Sequence, residues 1–595
     1  MSNLPATGKT LAAHVLYDFG PFRLDPTKRL LLREGRPLAL TPRVFDMLVV
    51  LVANRGRVVE KDELMRLVWA DVVVEEANLT QSVFTLRKLL GDGPHEHRYI
   101  ATVPRRGYQF VAEVRETRPA WPPPARPGPP ARSLAVLPFA ALGREVDEYL
   151  GLGLADALIT RLGNIRQIVV RPTSAVRPYV GQGTDPVSAG RRLGVDMVLE
   201  GSIQRAAGRI RVTVQLVSVD AGAPVWGQCF DESLTDIFSV EDSISTRLAA
   251  ALVSSLTAEE KRRLHQRYTD DHEAYDAYLR GRHHWNTRTE DGLRKALQQF
   301  ERAVERDPEY ALAHAGLADC YTLLGSAGYA MLPPREALAR ARAAAVRALE
   351  IDPDLAEAHT SLALVKFRLD WDWTEAESEF RRAIELNPGH ASAHHFYGLY
   401  LSAMGRADEA IARMERAHEL DPLSLIISTA LGRAFHFARR YDRALEQHLK
   451  TLELDPDFAE ARFNLAFVYV QRSMFPEAVG ELQRAIVIAG RRPAMVSVLG
   501  YVYALSGDRA QARRTLDELD GLSSEGGIPT LYLAYPLIGL GDKDRVFDLL
   551  DKAYEERSGL LVYLKVEPIF DSLRDDPRFD DLLRRMDLSD RPVVA

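Results

Sequence analysis

The sequence predicts a multidomain chain built from three fold classes: a small α+β domain at the N-terminus, an α/β module in the middle and an all-α solenoid over the C-terminal half. Three observations predict this. Short alternating apolar segments between turn residues fill 15–40 and give way to helical periodicity. β-Branched runs alternate with a helical pattern from 133 to 258, and from about 277 onward an Asp-Pro or Asn-Pro pair recurs at near-constant spacing. A chain of 595 residues, 46% hydrophobic and 27% charged, is large enough for several cores.

In chain order, Val15 to Phe19, Phe22 to Leu24, Leu30 to Leu32 and Pro37-Leu38 read as a small antiparallel sheet. Thr41-Pro42 is a helix start, threonine at the N-cap and proline in the first turn, with Val44, Leu48 and Leu51 as the apolar stripe. Asn54-Arg55-Gly56 ends that helix, and Lys61 to Trp69 forms the next. A third helix spans Glu76 to Leu90, with Leu79, Val83, Leu86 and Leu90 on its core face. The opposite arc holds Ala77, Gln81, Phe84, Thr85 and Lys88, with Asn78 at its edge. These groups suit base edges and a thymine methyl. After Gly91-Asp92-Gly93-Pro94, strands Tyr99 to Val103 and Tyr108 to Val111 flank Pro104-Arg105-Arg106-Gly107, a hairpin with two arginines at its tip.

Helix plus basic hairpin is a winged helix. The residues Leu86-Arg87-Lys88, Gly91-Asp92, Tyr99-Ile100-Ala101-Thr102 and Arg105-Arg106-Gly107-Tyr108 resemble the OmpR/PhoB-type DNA-binding domain, in the form that heads one-component ToxR/CadC-like and HilA-like regulators. The resemblance covers 13–115. It implies duplex DNA as partner, with Gln81, Thr85 and Lys88 at base or groove edges, Asn78 and Phe84 secondary, and Tyr108 in the same contact set. Arg105 and Arg106 would touch the backbone or minor groove, and Arg87 makes either a phosphate contact or an internal salt bridge. Charge distribution agrees. The net charge is −7, yet 13–115 carries 16 basic against 13 acidic residues, so the excess of positive charge is local to this segment.

Residues 116–132 form a proline-rich linker, where membrane-anchored relatives of this type have a transmembrane helix. No apolar run approaches bilayer length, the N-terminus shows no secretory pattern, and Cys229 and Cys320 have no metal or redox spacing, so a cytoplasmic location is expected.

From 133 to 258 the pattern is α/β. Leu134 to Phe139, Ile168 to Val170, Val195 to Ile203, Arg209 to Val217 and Val225 to Phe230 read as strands, and Tyr149 to Leu162 as a helix. Ala135-Val136-Leu137-Pro138-Phe139 and Leu199-Glu200-Gly201-Ser202 resemble the TolB-N-terminal-like module. Gly151-Leu152-Gly153 has neither a strand immediately before it nor a following lysine, which favours ordinary glycines at a helix start over a phosphate loop.

The remainder is repetitive. Asp307-Pro308, Asp352-Pro353, Asn387-Pro388, Asp421-Pro422 and Asp455-Pro456 mark repeat ends, the last three intervals being 35, 34 and 34 residues. Small residues recur where two helices must approach, among them Ala296, Ala303, Ala376, Ala383, Ala410, Ala417 and Ala444, the pattern of tetratricopeptide (TPR) repeats. About eight repeats are expected in 275–562, the second lengthened near Ser326 to Pro334, with 563–595 as a C-terminal capping helix and tail, its Arg574 to Met586 polar. The concave faces should expose Trp285, Arg288, Asp319, Phe367, His395, Arg433, His436, Phe463 and Phe467 to a protein or peptide partner. The competing reading fills that groove with the chain's own neighbouring segment or by self-association. His390, His394 and His395 read as packing residues, and no metal or cofactor is implied.

There is no Ser/His/Asp elbow, Walker loop, kinase signature or acidic receiver domain, so the expectation is not an enzyme but a one-component transcriptional regulator, with dimerisation on DNA. The alternative is a TPR scaffold whose winged helix docks protein.

Overall fold

The computed structural model describes residues 16–589 apart from 27–29, 34–35, 39, 41, 69–75, 93–97, 105, 118–131, 143–147, 166, 182, 184, 207–208, 234–236, 254–255, 265, 267, 288, 326–330 and 525–527. The chain divides into two units, 1–130 and 131–595. Among the described residues no helix is long and apolar enough to cross a membrane.

The first unit runs β1 (Leu16–Phe19), β2 (Phe22–Asp25), β3 (Leu30–Arg33), β4 (Arg36–Leu38), α1 (Pro42–Ala53), β5 (Val59–Glu60), α2 (Lys61–Val68), α3 (Glu76–Leu90), β6 (Ile100–Val103), β7 (Gly107–Phe110) and β8 (Arg115–Thr117). The four N-terminal strands form an antiparallel meander that β8 extends along the free side of β1. That last strand has no counterpart in the sequence reading. A second sheet, β5-β7-β6, carries the hairpin. Phe19, Phe22, Leu24, Leu48, Leu51, Val83, Leu86 and Phe110 meet in one core, which is how the amphipathic stripes of α1 and α3 are satisfied. Thr41, the expected N-cap, lies outside the described residues.

The second unit opens with β9 (Arg132–Val136), β10 (Ala140–Leu142), α4 (Glu148–Gly163), β11 (Ile168–Val170), α5 (Thr173–Val176), α6 (Pro186–Leu193), β12 (Met197–Ala206), β13 (Arg209–Ser218), β14 (Ala223–Ser233), α7 (Ile237–Leu252) and α8 (Ala258–Leu264). Strand order is β11-β9-β12-β13-β14, with β10 also pairing β12. The sheet is parallel from β11 to β12 and antiparallel beyond. α6 illustrates how sequence writes a helix. Asp185 caps it by accepting from the Ser188 amide at 2.8 Å, Pro186 starts it, and Gly194 ends it at φ +61°. Gly151 and Gly153 lie inside α4, where a Cβ on Gly151 would strike the Phe139 carbonyl and one on Gly153 would crowd the Leu279 side chain at 3.2 Å, so close packing bears on both glycines.

Eight antiparallel helix pairs follow among the described residues: 272–286/290–306, 311–324/334–351, 356–365/373–386, 391–403/407–420, 425–437/441–454, 459–471/475–489, 493–505/509–524 and 531–540/543–555. The small residues Ala303, Ala348, Ala383, Ala417, Thr451 and Ala485 are all fully buried where the second helices face their neighbours. A further device recurs at the junctions. The Nε2 atoms of His314, His359 and His394 lie 2.9–3.0 Å from the carbonyl of the proline six residues earlier, and Arg462 donates to Pro456 in the same way.

The central module, and the segment 265–271 that leads from it into the repeats, are fastened to the repeat ends. Thr269 donates to Asp307 at 2.5 Å, Gln266 to Asp352 at 2.9 Å and Ser174 to Asp421 at 2.5 Å, while Arg171 donates to the Glu419 carbonyl at 2.6 Å. The acids that punctuate the repeats are thus also anchoring points.

Candidate nucleic-acid interface and the repeat groove

The third helix of the head, α3, divides as its period requires. Leu79, Val83, Leu86 and Leu90 are buried, and on the opposite arc Gln81 and Lys88 are exposed, Thr85 half-buried and Phe84 61% exposed. The phenyl ring leaves one apolar surface on an otherwise polar arc, of a kind that can meet a thymine methyl. The Thr85 hydroxyl donates to the Gln81 carbonyl at 2.9 Å, one helical turn back. The side chain of Asn78 lies outside the described residues.

Arg87 resolves toward the internal role, though through neutral partners and not a salt bridge. Its guanidinium donates to the Ile100 carbonyl at 2.8 and 3.1 Å and to the Thr102 hydroxyl at 2.8 Å, which ties α3 to β6. Asp92 does the companion job from the helix end. Its carboxylate accepts the amides of Arg98 at 3.1 Å and of Tyr99 and Ile100 at 3.2 Å, organising the entry into β6. Sequence reasoning quoted Gly91-Asp92 as a motif without giving the carboxylate this work.

At the hairpin, Arg106 is exposed and its backbone closes the turn, accepting from the Lys61 amide and donating to Val103. Gly107 is required there because a Cβ would lie 2.0 Å from the Val59 carbonyl of β5. Arg105 lies outside the described residues. Tyr108 corrects the contact set: at 6% exposed it faces the core beneath the hairpin, since strand alternation turns it inward.

The repeat groove differs from the open surface expected of it. Phe367, His395 and His436 are buried and Trp285, Arg433, Phe463 and Phe467 half-buried, while Arg288 lies outside the described residues. Trp285 packs with the core that the central module shares with the first repeats, and around Phe367, Arg433 and His436 the cover is the C-terminal segment. Leu561, Val562, Leu564, Ile569, Phe570 and Leu573 are buried in the same core as Phe367, Phe437 and Tyr400. Tyr563 stacks on Phe437 at 5.3 Å, and the Arg433 guanidinium sits 4.4 Å from its ring. Polar contacts fix the segment: His436 Nε2 lies 3.3 Å from Glu567, Arg439 pairs with Asp571 at 2.8 Å, and Trp373 Nε1 donates to the Met586 carbonyl at 2.9 Å. The stretch expected to be a polar cap holds a helix, Pro577–Arg585, whose Phe579, Leu582 and Leu583 are buried. The apolar spacing of 561–588 was the available signal for this. His394, one of the three clustered histidines, is buried, and desolvation depresses its pKa to about 3.

Comparison with known proteins agrees with this arrangement. Residues 35–110 match the family described as transcriptional regulatory protein, C terminal. Residues 130–264 match the HilA/YgeH-like transcriptional regulator, second domain. Tetratricopeptide repeats match at 288–332, 371–424, 397–453 and 429–496. Among curated relatives, a putative adenylate cyclase 3 of Rhizobium meliloti is 36% identical over 33% of this chain and 34% of its own length. The transcriptional regulator HilA of Salmonella typhi is 25% identical over 66% of this chain and 68% of its own. The transcriptional activator CadC of Escherichia coli is 40% identical over 16% of this chain and 19% of its own. The chain therefore joins a winged helix of the transcriptional regulatory C-terminal family to a HilA/YgeH-like second domain and a run of tetratricopeptide repeats.

Proposed function

We propose that the protein is a cytoplasmic one-component transcriptional regulator whose winged helix grips duplex DNA and whose second unit receives a protein partner or signal. The observation that carries this reading is the exposed arc of α3 braced by Arg87 against the hairpin that ends in Arg106. A helix and a cationic loop held by one side chain approach a duplex as one body. In this reading Gln81 and Lys88 read base edges in the major groove, Phe84 packs on a thymine methyl, and Arg106 meets the phosphate backbone. Two heads on tandem sites would make the protein a homodimer on DNA. It acts by binding, without chemistry of its own; the relative named as a cyclase is matched over only about a third of its length.

Duplex binding measured between about 50 and 200 mM salt tests the reading. Arg106→Ala should weaken binding to all sequences and reduce the salt slope by about 0.9, the signature of one lost phosphate contact. Gln81→Ala should instead change which base is preferred. Wild type and both variants binding every duplex alike would refute it.

A further inference from the structure

The structure points to a docking site on the outside of the solenoid, in the crevice between the sixth and seventh helix pairs, for an apolar, acidic helix of a partner protein; we propose it on the strength of the partner-receiving half of the reading above.

Internal comparison of the repeats exposes the site. In the second helix of each of the first five pairs, the fully buried small residue is followed two positions later by a glutamate and four positions later by the acidic or amide residue of the junction: Ala303/Glu305/Asp307, Ala348/Glu350/Asp352, Ala383/Glu385/Asn387, Ala417/Glu419/Asp421 and Thr451/Glu453/Asp455. Glu305, Glu350, Glu385, Glu419 and Glu453 are all exposed, as charged groups at the end of a surface helix should be. The sixth pair keeps the buried Ala485 and breaks the rest. Val487 stands where the glutamates stand, Ala489 replaces the junction acid, and Gly490-Arg491-Arg492-Pro493 follows. One junction has changed from acidic to apolar and basic.

The geometry fits an occupant. Val487 is 85% exposed, and Ile488 beside it is exposed as well. Next to them lies a cavity of about 390 Å³ lined by the apolar Ile486, Val487, Leu499 and Tyr503 together with Gln483, Gln511, Thr515, Glu518, Arg491 and Arg514. Arg491 is spent on Glu518, which it holds through two 2.6 Å hydrogen bonds, whereas Arg514 has no ion-pair partner among the described residues. The crevice thus mixes four apolar side chains with polar ones and has one more arginine than acid in its lining. An amphipathic helix laying leucines over Val487 and a carboxylate against Arg514 satisfies both. Around Phe367 and Phe437 the repeat groove is taken by the chain's own 561–588.

The test uses the full chain and two fluorescein-labelled 12-residue peptides, Glu-Leu-Leu-Glu and Lys-Leu-Leu-Lys each repeated three times, with binding read by anisotropy. The acidic peptide is expected to saturate wild type and to bind about tenfold more weakly to Val487→Glu, which restores the residue of the five earlier pairs, and to Arg514→Glu. The basic peptide should not bind. The two peptides binding alike, or an unchanged isotherm for Val487→Glu, would overturn the proposal. So would wild type self-associating in sedimentation while Val487→Glu does not, since a second copy would then be the occupant. Val487→Glu should keep its helical signal and its duplex binding, so that a lost peptide isotherm is not lost folding. Failure of wild type to bind DNA would sink the regulator reading and leave this site standing.

Discussion

The outer arc of α3 and the concave face of the repeats follow from the same kind of pattern, polar and aromatic residues on the side of a helix away from its core, yet they end in opposite states. On α3, Gln81, Phe84 and Lys88 remain exposed. In the solenoid, Phe367 and His436 are buried under a segment that lies more than a hundred residues further along the chain. The lesson is about range. A helix of a small domain has its inner face fixed by three or four neighbouring elements, all within the same hundred residues. A solenoid leaves a long concave strip that only a distant segment or a partner can cover, and here the C-terminal segment covers the part around Phe367 and His436.

The largest effect should come from loosening that cover. Phe570→Ala removes a fully buried ring that lies edge-on to Tyr535 at 6.0 Å, and should destabilise the second unit by about 3–5 kcal/mol in denaturant titration followed by helical signal. A loss under about 1 kcal/mol would mean that 561–588 lies on the groove without being part of its core, and the contrast with α3 would dissolve.

A smaller effect is pH-linked. His448 is fully buried against Gly432, neither ring nitrogen has a hydrogen-bond partner among the described residues, and burial depresses its pKa to about 3 from an ordinary 6.5. The folded form therefore stays neutral while the unfolded form takes up a proton. The contribution is intact above pH 6.5 and is lost as pH falls toward 3, on the order of 2 kcal/mol at pH 5. His448→Leu should flatten the stability of the second unit between pH 7 and 5 by about that amount. Equal pH slopes for variant and wild type would show that the ring is solvated.

The smallest stability effect belongs to the exposed arc. Phe84→Ser should change folding stability by no more than about 0.5 kcal/mol, because the ring touches water on most of its surface. Its consequence should appear in DNA selection, as weakened preference for thymine at one position of bound duplexes recovered from a random pool. A large loss of stability with unchanged selection would place Phe84 with the buried groove residues.

Much of the architecture was legible. The i, i+4, i+7, i+11 spacing of Leu79, Val83, Leu86 and Leu90 oriented α3, and the Asp-Pro and Asn-Pro punctuation located the ends of the first five helix pairs. Less was legible where a residue's fate hangs on a remote neighbour. Tyr108 looked like part of a contact set until strand alternation turned it into the core, and Arg574 to Met586 looked polar because its few apolar residues are spaced for one narrow face. The helix period also gave no way to foresee that the junction acid Asp421 anchors the central module, or that Asp307 and Asp352 hold the segment following it.

By itself the sequence determined what depends on neighbours within a turn or a repeat: where helices and strands begin, which side of each is apolar, and that a basic hairpin follows a helix with a polar outer arc. The tertiary structure alone decided what depends on segments far apart in the chain: that Arg87 spends its charge on β6, that β8 closes the first sheet, and that 561–588 fills the groove. The physical reason is that a helical period is set by bonds four residues long. Burial is set by whichever apolar surface arrives, from any distance, and no local pattern records its arrival.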